Sequence, residues 1–298
     1  MENNITVFLC LVTLLQPVIA VAEELPANSD SKGHSKEISA LDQRMQIENK
    51  TRYQSFVLTP HKPNYIMPLT YNEKPNNAPV DISRDGELDK SEIKFQFSMK
   101  FPIAEDLFGE QGTLYFAYTN LSFWQAYNTD ISSPFRETVH EPELFISFPA
   151  RGEYLGFKNR LIQFGLVHQS NGRSGIQSRG WNRIYADFIF QRGNYYLSLK
   201  PWYRIAGAEI DDNPDIEKYL GHGEIRGVYT GGKHTVSIML RNNFHSPNYG
   251  AFEINWSFPM SRRVKWFAQY FNGYGESLID YNARVNRIGV GIAFTDWL

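Results

Sequence analysis

The sequence predicts an all-β protein, a 12-stranded antiparallel transmembrane β-barrel, and three observations point there. From Ser91 onward, apolar and polar residues alternate with period two in one short segment after another. After residue 22 no apolar run approaches the roughly 18 residues that a spanning helix needs, so any membrane crossing is made by strands. Aromatics make up 15% of the chain (17 Tyr, 21 Phe and 6 Trp) while mean hydropathy is −0.41, a mixture that suits aromatic girdles on alternating strands.

The elements follow in order. In SEIKFQFSMKF, Ile93, Phe95, Phe97, Met99 and Phe101 alternate with Lys94, Gln96, Ser98 and Lys100. Leu114, Phe116 and Tyr118 alternate in the next segment, and Ile162, Phe164 and Leu166 in a later one. Tyr195, Leu197, Leu199, Tyr203 and Ile205 oppose Ser198, Lys200 and Arg204; Val236, Ile238 and Leu240 oppose Ser237 and Arg241. Phe252, Ile254, Trp256 and Phe258 oppose Glu253, Asn255 and Ser257, and the last segment sets Ile288, Val290, Ile292 and Phe294 against Arg287, Gly289 and Gly291. The candidate strands number about 12, of which Glu276 to Asn282 is the weakest. Gly231-Gly232 and Arg192-Gly193-Asn194 mark short turns; the connections near 125–140, 171–180 and 206–218 are longer.

A soluble sandwich can produce the same alternation. Three features favour the barrel. The polar faces carry Lys, Arg, Glu, Gln and Asn together, as a hydrated interior does; the apolar faces are aromatic near strand ends; and the chain finishes on a strand with Phe294 and Trp297, although Leu298 departs from a terminal aromatic. Residues 1–22, an apolar stretch ending in Ala20-Val21-Ala22, read as a signal peptide despite a first segment, MENN, that lacks Lys and Arg. The single Cys10 falls inside it. Residues 23–90 read as a polar N-terminal arm or plug, and residues 91–298 as the barrel. A net charge of −2 with scattered cations offers no patch for nucleic acid.

The chemistry concentrates in QFGLVHQSNGRSGIQSRGWNRIYADFIF. His168 and Ser170 share a strand face with Ile162, Phe164 and Leu166, while Asn182 shares parity with Ile184, Ala186 and Phe188. A hairpin that pairs His168 with Asn182 also matches Leu166 to Ile184 and Phe164 to Ala186, so one register aligns the apolar faces and gathers the polar residues. Facing hydrocarbon, each unpaired polar side chain costs about 1 to 3 kcal/mol, which favours mutual hydrogen bonding. Ser170 is then a candidate nucleophile, His168 its base, and Asn182 the group that fixes the tautomer of the base. A neutral Asn182 stabilises an imidazolium less than a carboxylate does, so electrostatic help is expected elsewhere.

HQSNGRS (168–174), SRGWNR (178–183), SSPFRET (132–138) with the following HEPELF, and KPWY (200–203) resemble the outer-membrane phospholipases A of Gram-negative bacteria, over most of residues 91–298. The resemblance implies a 12-stranded barrel that hydrolyses acyl esters of phospholipids as a phospholipase A1/A2, depends on Ca2+ and acts as a homodimer in the outer membrane. It implies the Ser170, His168 and Asn182 triad, with an oxyanion donor at the Gly172 backbone N–H. It also implies Ca2+ ligation by Ser178 and the Arg173 carbonyl, with Ser132 contributed by the second subunit. Asn120 stands at a dimer-interface position where the family has Gln, and Gln169 replaces an acid. Calcium suits hydroxyl and carbonyl oxygens on physical grounds, and beside an oxyanion it supplies the charge that Asn182 lacks. Acyl chains are expected against Leu114, Phe116, Leu166 and Ile184.

Other candidates read as structural. His222, His234 and His245 lack partners of the required kind; Asp211, Asp212, Asp215 and Glu217 read as a solvated loop; Arg136 and Glu137 as an ion pair; and Gly221, Gly223 and Gly227 as relief of crowding in a sheet. A passive porin or adhesin, with the triad incidental, and a secreted lipase on a sandwich are the alternative readings.

Overall fold

The computed structural model describes residues 38–55, 57–79, 86–109, 111–205 and 211–298, so the expected signal peptide and Cys10 lie outside the described residues. Helix α1 (Ala40–Thr51) precedes twelve strands: β1 (Asn64–Asn72), β2 (Ser91–Leu107), β3 (Gly112–Trp124), β4 (Phe135–Pro149), β5 (Phe157–Ser170) and β6 (Gly180–Arg192). The ring continues with β7 (Tyr195–Ile205), β8 (Gly223–Gly231), β9 (His234–Asn242), β10 (Gly250–Pro259), β11 (Lys265–Gly273) and β12 (Val285–Thr295). Each strand pairs antiparallel with the next, and β12 pairs back onto β1, closing the barrel. Closure leaves no open edge, the condition for β-structure in lipid.

The side chains sort as the alternation requires. On β2, Glu92, Lys94 and Ser98 are buried, while Phe97 and Phe101 are exposed on the outer wall. A ladder row of outward side chains, Phe101, Phe116, Leu144, Leu166, Ile184 and Tyr203, runs across six consecutive strands. The tight turns at 193–194 and 232–233 lie at one rim and the long connections at the other, which orients the barrel with short turns in the periplasm and long loops outside.

The count of twelve strands holds, but the structure exchanges one candidate for another. The region 23–90 is not all arm, because Asn64–Asn72 is a wall strand. Its pattern is hidden by Pro68 and a bulge between Met67 and Thr70: Tyr65 and Met67 face inward before it, Thr70 and Asn72 after it. Glu276 to Asn282 is no strand. Residues 276–281 are buried one after another, without alternation, in a loop folded into the barrel mouth.

The inward face is a charge network. Arg287 lies 2.8 Å from both Glu92 and Glu276; Lys94 lies 2.8 Å from Glu276; Arg136 lies 3.0 Å from Glu92 and 2.7 Å from Asp280. Lys94, Arg136 and Arg287 also surround the fully buried Phe123 ring, with cations 4.8–5.2 Å from its centroid. At the short-turn end α1 closes the lumen. Its cap residue Ser39 accepts a hydrogen bond from the Asp42 N–H, Leu41 packs with Tyr196 and Val228 beside Trp297, and Arg44 donates to the carbonyls of Trp297, Pro60 and His61. Between plug and network a cavity of about 350 Å³ remains.

Arg287 is the hub of this network, and its removal leaves Glu92 and Glu276 buried with one cation fewer each. Arg287→Ala is expected to cost about 3 to 5 kcal/mol, read as a lower urea midpoint for unfolding in detergent micelles.

Candidate active site

The register of β5 on β6 is the one expected from the apolar faces: His168 opposes Asn182, Ser170 opposes Gly180, Leu166 opposes Ile184 and Phe164 opposes Ala186. The imidazole Nδ1 lies 2.7 Å from Asn182 Oδ1. Because that oxygen only accepts, Nδ1 carries the proton and Nε2 keeps its lone pair. Ser170 stands two residues along the same outward face. The structure joins His168 to Asn182 but places no hydrogen bond between Ser170 and His168 among the described residues; such contacts commonly tighten only when substrate is present.

The three residues line a cavity of about 250 Å³ together with Gly172, Arg173, Ser178 and Asp212. Its roof is the 171–179 loop, and Asn171 holds that loop closed. The Asn171 side chain donates to the Gln177 carbonyl (2.8 Å) and accepts from the backbone N–H of Arg179 (3.0 Å) and Arg173 (3.3 Å). The Arg173 guanidinium fastens the loop to the start of β4 by donating to the carbonyls of Phe135 (3.0 Å) and Arg136 (2.6 Å). Gly172 has φ +63°, the left-handed region that glycine enters without strain. Gly180 is held by its N–H bond to the fully buried Asn213 side chain, at 2.9 Å.

The acidic group read as a solvated loop divides. Asp211 pairs with Arg204 (2.6 Å), Asp215 accepts from the Tyr281 hydroxyl (2.7 Å), and Glu217 lies 3.4 Å from the exposed His222. Asp212 accepts a 2.5 Å hydrogen bond from Ser178 inside the cavity, which Asp211 and Arg204 also line. Nothing in the sequence links two residues 34 positions apart on different loops. Arg136 and Glu137 do not pair with each other, which corrects the expectation. A bulge beside Phe123 turns both inward, where Arg136 meets Glu92 and Asp280, while Glu137 accepts from Asn171 (3.3 Å) and the Ile279 N–H (3.1 Å).

Asn120 faces outward on β3, in register with Phe97 and His140, and its Oδ1 accepts from the Ser122 hydroxyl at 3.1 Å. Ser132 is exposed, with φ 62°, on the 125–134 loop outside the lining of the cavity. Of the glycines read as sheet relief, Gly221 and Gly223 fit: a β-carbon there would come within 2.5 Å of the Asn242 carbonyl oxygen and 3.1 Å of the Lys200 carbonyl oxygen, whereas Gly227 has open space.

A serine on the same outward face as a hydrogen-bonded histidine–asparagine pair, on the wall of a closed barrel, is an arrangement suited to a hydrolase at the membrane surface. The phospholipase A1 family profile matches residues 41–294. Phospholipase A1 of Klebsiella pneumoniae is 38% identical over 241 residues, covering 81% of this chain and 83% of the relative. A putative phospholipase A1 of Neisseria meningitidis is 41% identical over 248 residues, covering 79% and 65%. Among solved structures, outer membrane phospholipase A from Escherichia coli aligns with TM-score 0.77 and 37% identity over 83% of this chain and 95% of that one. The Salmonella typhi outer membrane phospholipase, a dimer with bound calcium, aligns with TM-score 0.77 and 37% identity over 82% and 94%. The chain belongs to the phospholipase A1 family. It is an outer-membrane phospholipase, a carboxylic ester hydrolase.

Asn171 connects the roof of the cavity to buried Glu137. Asn171→Ala is expected to lower the local stability of the 171–179 loop by about 1 to 3 kcal/mol while the barrel stays folded. Faster amide hydrogen exchange confined to that loop, with slower phospholipid hydrolysis, is the readout.

Proposed function

We propose that this phospholipase cleaves acyl esters with Ser170 as nucleophile, His168 as general base and then acid, and Asn182 as the orienting residue, that it depends on Ca2+, and that it is active as a homodimer. The observation that carries the reading is the 2.7 Å bond from His168 to Asn182 on the outward face that also bears Ser170. One step toward the membrane centre lies the apolar row Phe116, Leu144, Leu166 and Ile184, against which acyl chains align. A lipid lying on the wall thus brings its ester to the level of the serine. The passive-pore alternative is disfavoured by α1, which sits in the lumen mouth with Arg44 tied to the last residues of the chain.

In the first half-reaction the Ser170 hydroxyl oxygen attacks the ester carbonyl carbon and its proton passes to His168 Nε2. The carbonyl oxygen becomes an oxyanion, accepting from the Gly172 N–H. Collapse breaks the bond to the glycerol oxygen, which takes the proton from His168, and an acyl-enzyme remains. Water repeats the sequence, releasing fatty acid. Asn182 holds the ring through its neutral carbonyl, so the imidazolium is oriented well and stabilised modestly.

The donors near the oxyanion side fit a hard cation: the Ser178 hydroxyl, already bonded to the Asp212 carboxylate, and the Arg173 carbonyl are all oxygens. Bound there, Ca2+ supplies positive charge beside the developing oxyanion. Ser178 and Arg173 would hold it, with the partner subunit's Ser132 completing the set. The location of Ser132 on the neighbouring loop, outside its own cavity, agrees with donation across an interface. Asn120, outward on β3, would meet its counterpart there. The Salmonella typhi relative, a dimer with bound calcium, supports both assignments.

Ser170→Ala is expected to lower fatty-acid release from phospholipid micelles by more than about 10³-fold. Chelating calcium should stop the wild type and calcium add-back should restore it; undiminished hydrolysis by Ser170→Ala would sink the catalytic assignment. For the shared site, activity per molecule should fall with dilution in step with loss of the cross-linked dimer. Constant specific activity well below the dissociation range would contradict it.

A further inference from the structure

His140 carries the next step, which rests on Ser170 being the nucleophile. His140 on β4 is the direct ladder partner of Ser170 on β5. It faces outward with Thr138, while its neighbours Val139 and Glu141 are buried. Opposed residues of an antiparallel pair have Cβ atoms about 4.5–5.5 Å apart, so the imidazole and the serine hydroxyl emerge side by side.

One hydrogen bond fixes the ring, and the Gly172 turn stands beside it. The Tyr118 hydroxyl lies 2.6 Å from His140 Nδ1. On the opposite side of the ring, Cδ2 lies 3.9 Å from the point where a β-carbon on Gly172 would stand. A phenol is the better donor and a neutral imidazole nitrogen the better acceptor, so Tyr118 donates to Nδ1 and the ring proton sits on Nε2. Nε2 is bonded to Cδ2, the atom nearest the Gly172 turn. The Nε2–H therefore lies on the side of the ring that faces the Gly172 turn, and it has no protein partner among the described residues. An imidazole N–H on a lipid-facing wall carries a desolvation cost unless something accepts from it.

We propose that His140 is a second donor to the oxyanion, beside the Gly172 N–H, with Tyr118 as the positioning residue that fixes its tautomer. No proton changes hands at His140. Its N–H shortens onto the carbonyl oxygen as negative charge develops there, which acts on the transition state more than on bound substrate.

The test compares His140→Phe, His140→Gln and Ser170→Ala, each shown to be folded by its heat-modifiable gel mobility, on phospholipid micelles with calcium. Affinity for an unreactive diether phospholipid is measured alongside. His140→Phe is expected to lower kcat about 10²- to 10³-fold while KM and diether affinity stay within about twofold. His140→Gln, which keeps an N–H donor, should recover at least about tenfold of that loss. A kcat for His140→Phe within about threefold of wild type, or a loss confined to KM and diether affinity, overturns the proposal. So does a His140→Gln variant no better than His140→Phe. Ser170→Ala separates the two readings. If it is active, the nucleophile assignment fails and this inference with it; if it is inactive while His140→Phe matches wild type, only the role of His140 fails.

Discussion

Within the bilayer every backbone N–H and C=O has to find its partner on a neighbouring strand, and the closed ring from β1 to β12 meets that demand. Closure also removes freedom of register. A slip of one residue between β5 and β6 would send Leu166 and Phe164 into the lumen and Gln163 and Gln169 into lipid. The same constraint that keeps the outer wall apolar therefore sets His168 opposite Asn182 and Ser170 opposite His140. The geometry of the site is a by-product of membrane solvation.

An apolar exterior displaces charge to the interior, and there the charges are used to brace the mouth. Glu92, Glu276, Arg136, Arg287, Lys94 and Asp280 form one connected set that ties β1's neighbour β2 to β4, β12 and the buried 276–281 loop. Glu137 extends the bracing outward. Its carboxylate receives the Ile279 N–H from the buried loop and the Asn171 side chain from the roof of the cavity. One chain of contacts thus runs from the lumen to the loop that carries Gly172, Arg173 and Ser178.

What could be read from the sequence follows from how local the determining contacts are. The β5–β6 hairpin was legible because matching the apolar parity of two strands joined by one loop suffices to pair His168 with Asn182. β1 was not, because Pro68 and the adjacent bulge shift the inward set from Tyr65 and Met67 to Thr70 and Asn72, erasing the period. Glu276 to Asn282 misled for the opposite reason: apolar Leu278 and Ile279 are buried in a loop, where alternation has no meaning. Asp212 meets Ser178 across two different loops, and His140 meets Ser170 across the β4–β5 ladder, so neither contact is set by residues near one another in sequence. Tertiary pairing of that kind leaves no local period.

The proposed mechanism explains why the third member is an amide. A carboxylate at position 182 would stabilise the imidazolium more strongly, but it would stand on the face that carries Ile184 and Leu166, both exposed to hydrocarbon. An ionised group on the lipid face costs free energy that a neutral amide avoids. Asn182 fixes the ring without placing a charge there. The electrostatic assistance given up on the wall has to come from a level that water and ions reach, the long-loop rim where Ser178, Arg173 and Asp212 converge. Under the proposed mechanism, the outward-facing triad and a cation held at the rim would be one adaptation, imposed by doing ester hydrolysis on the surface of a membrane barrel.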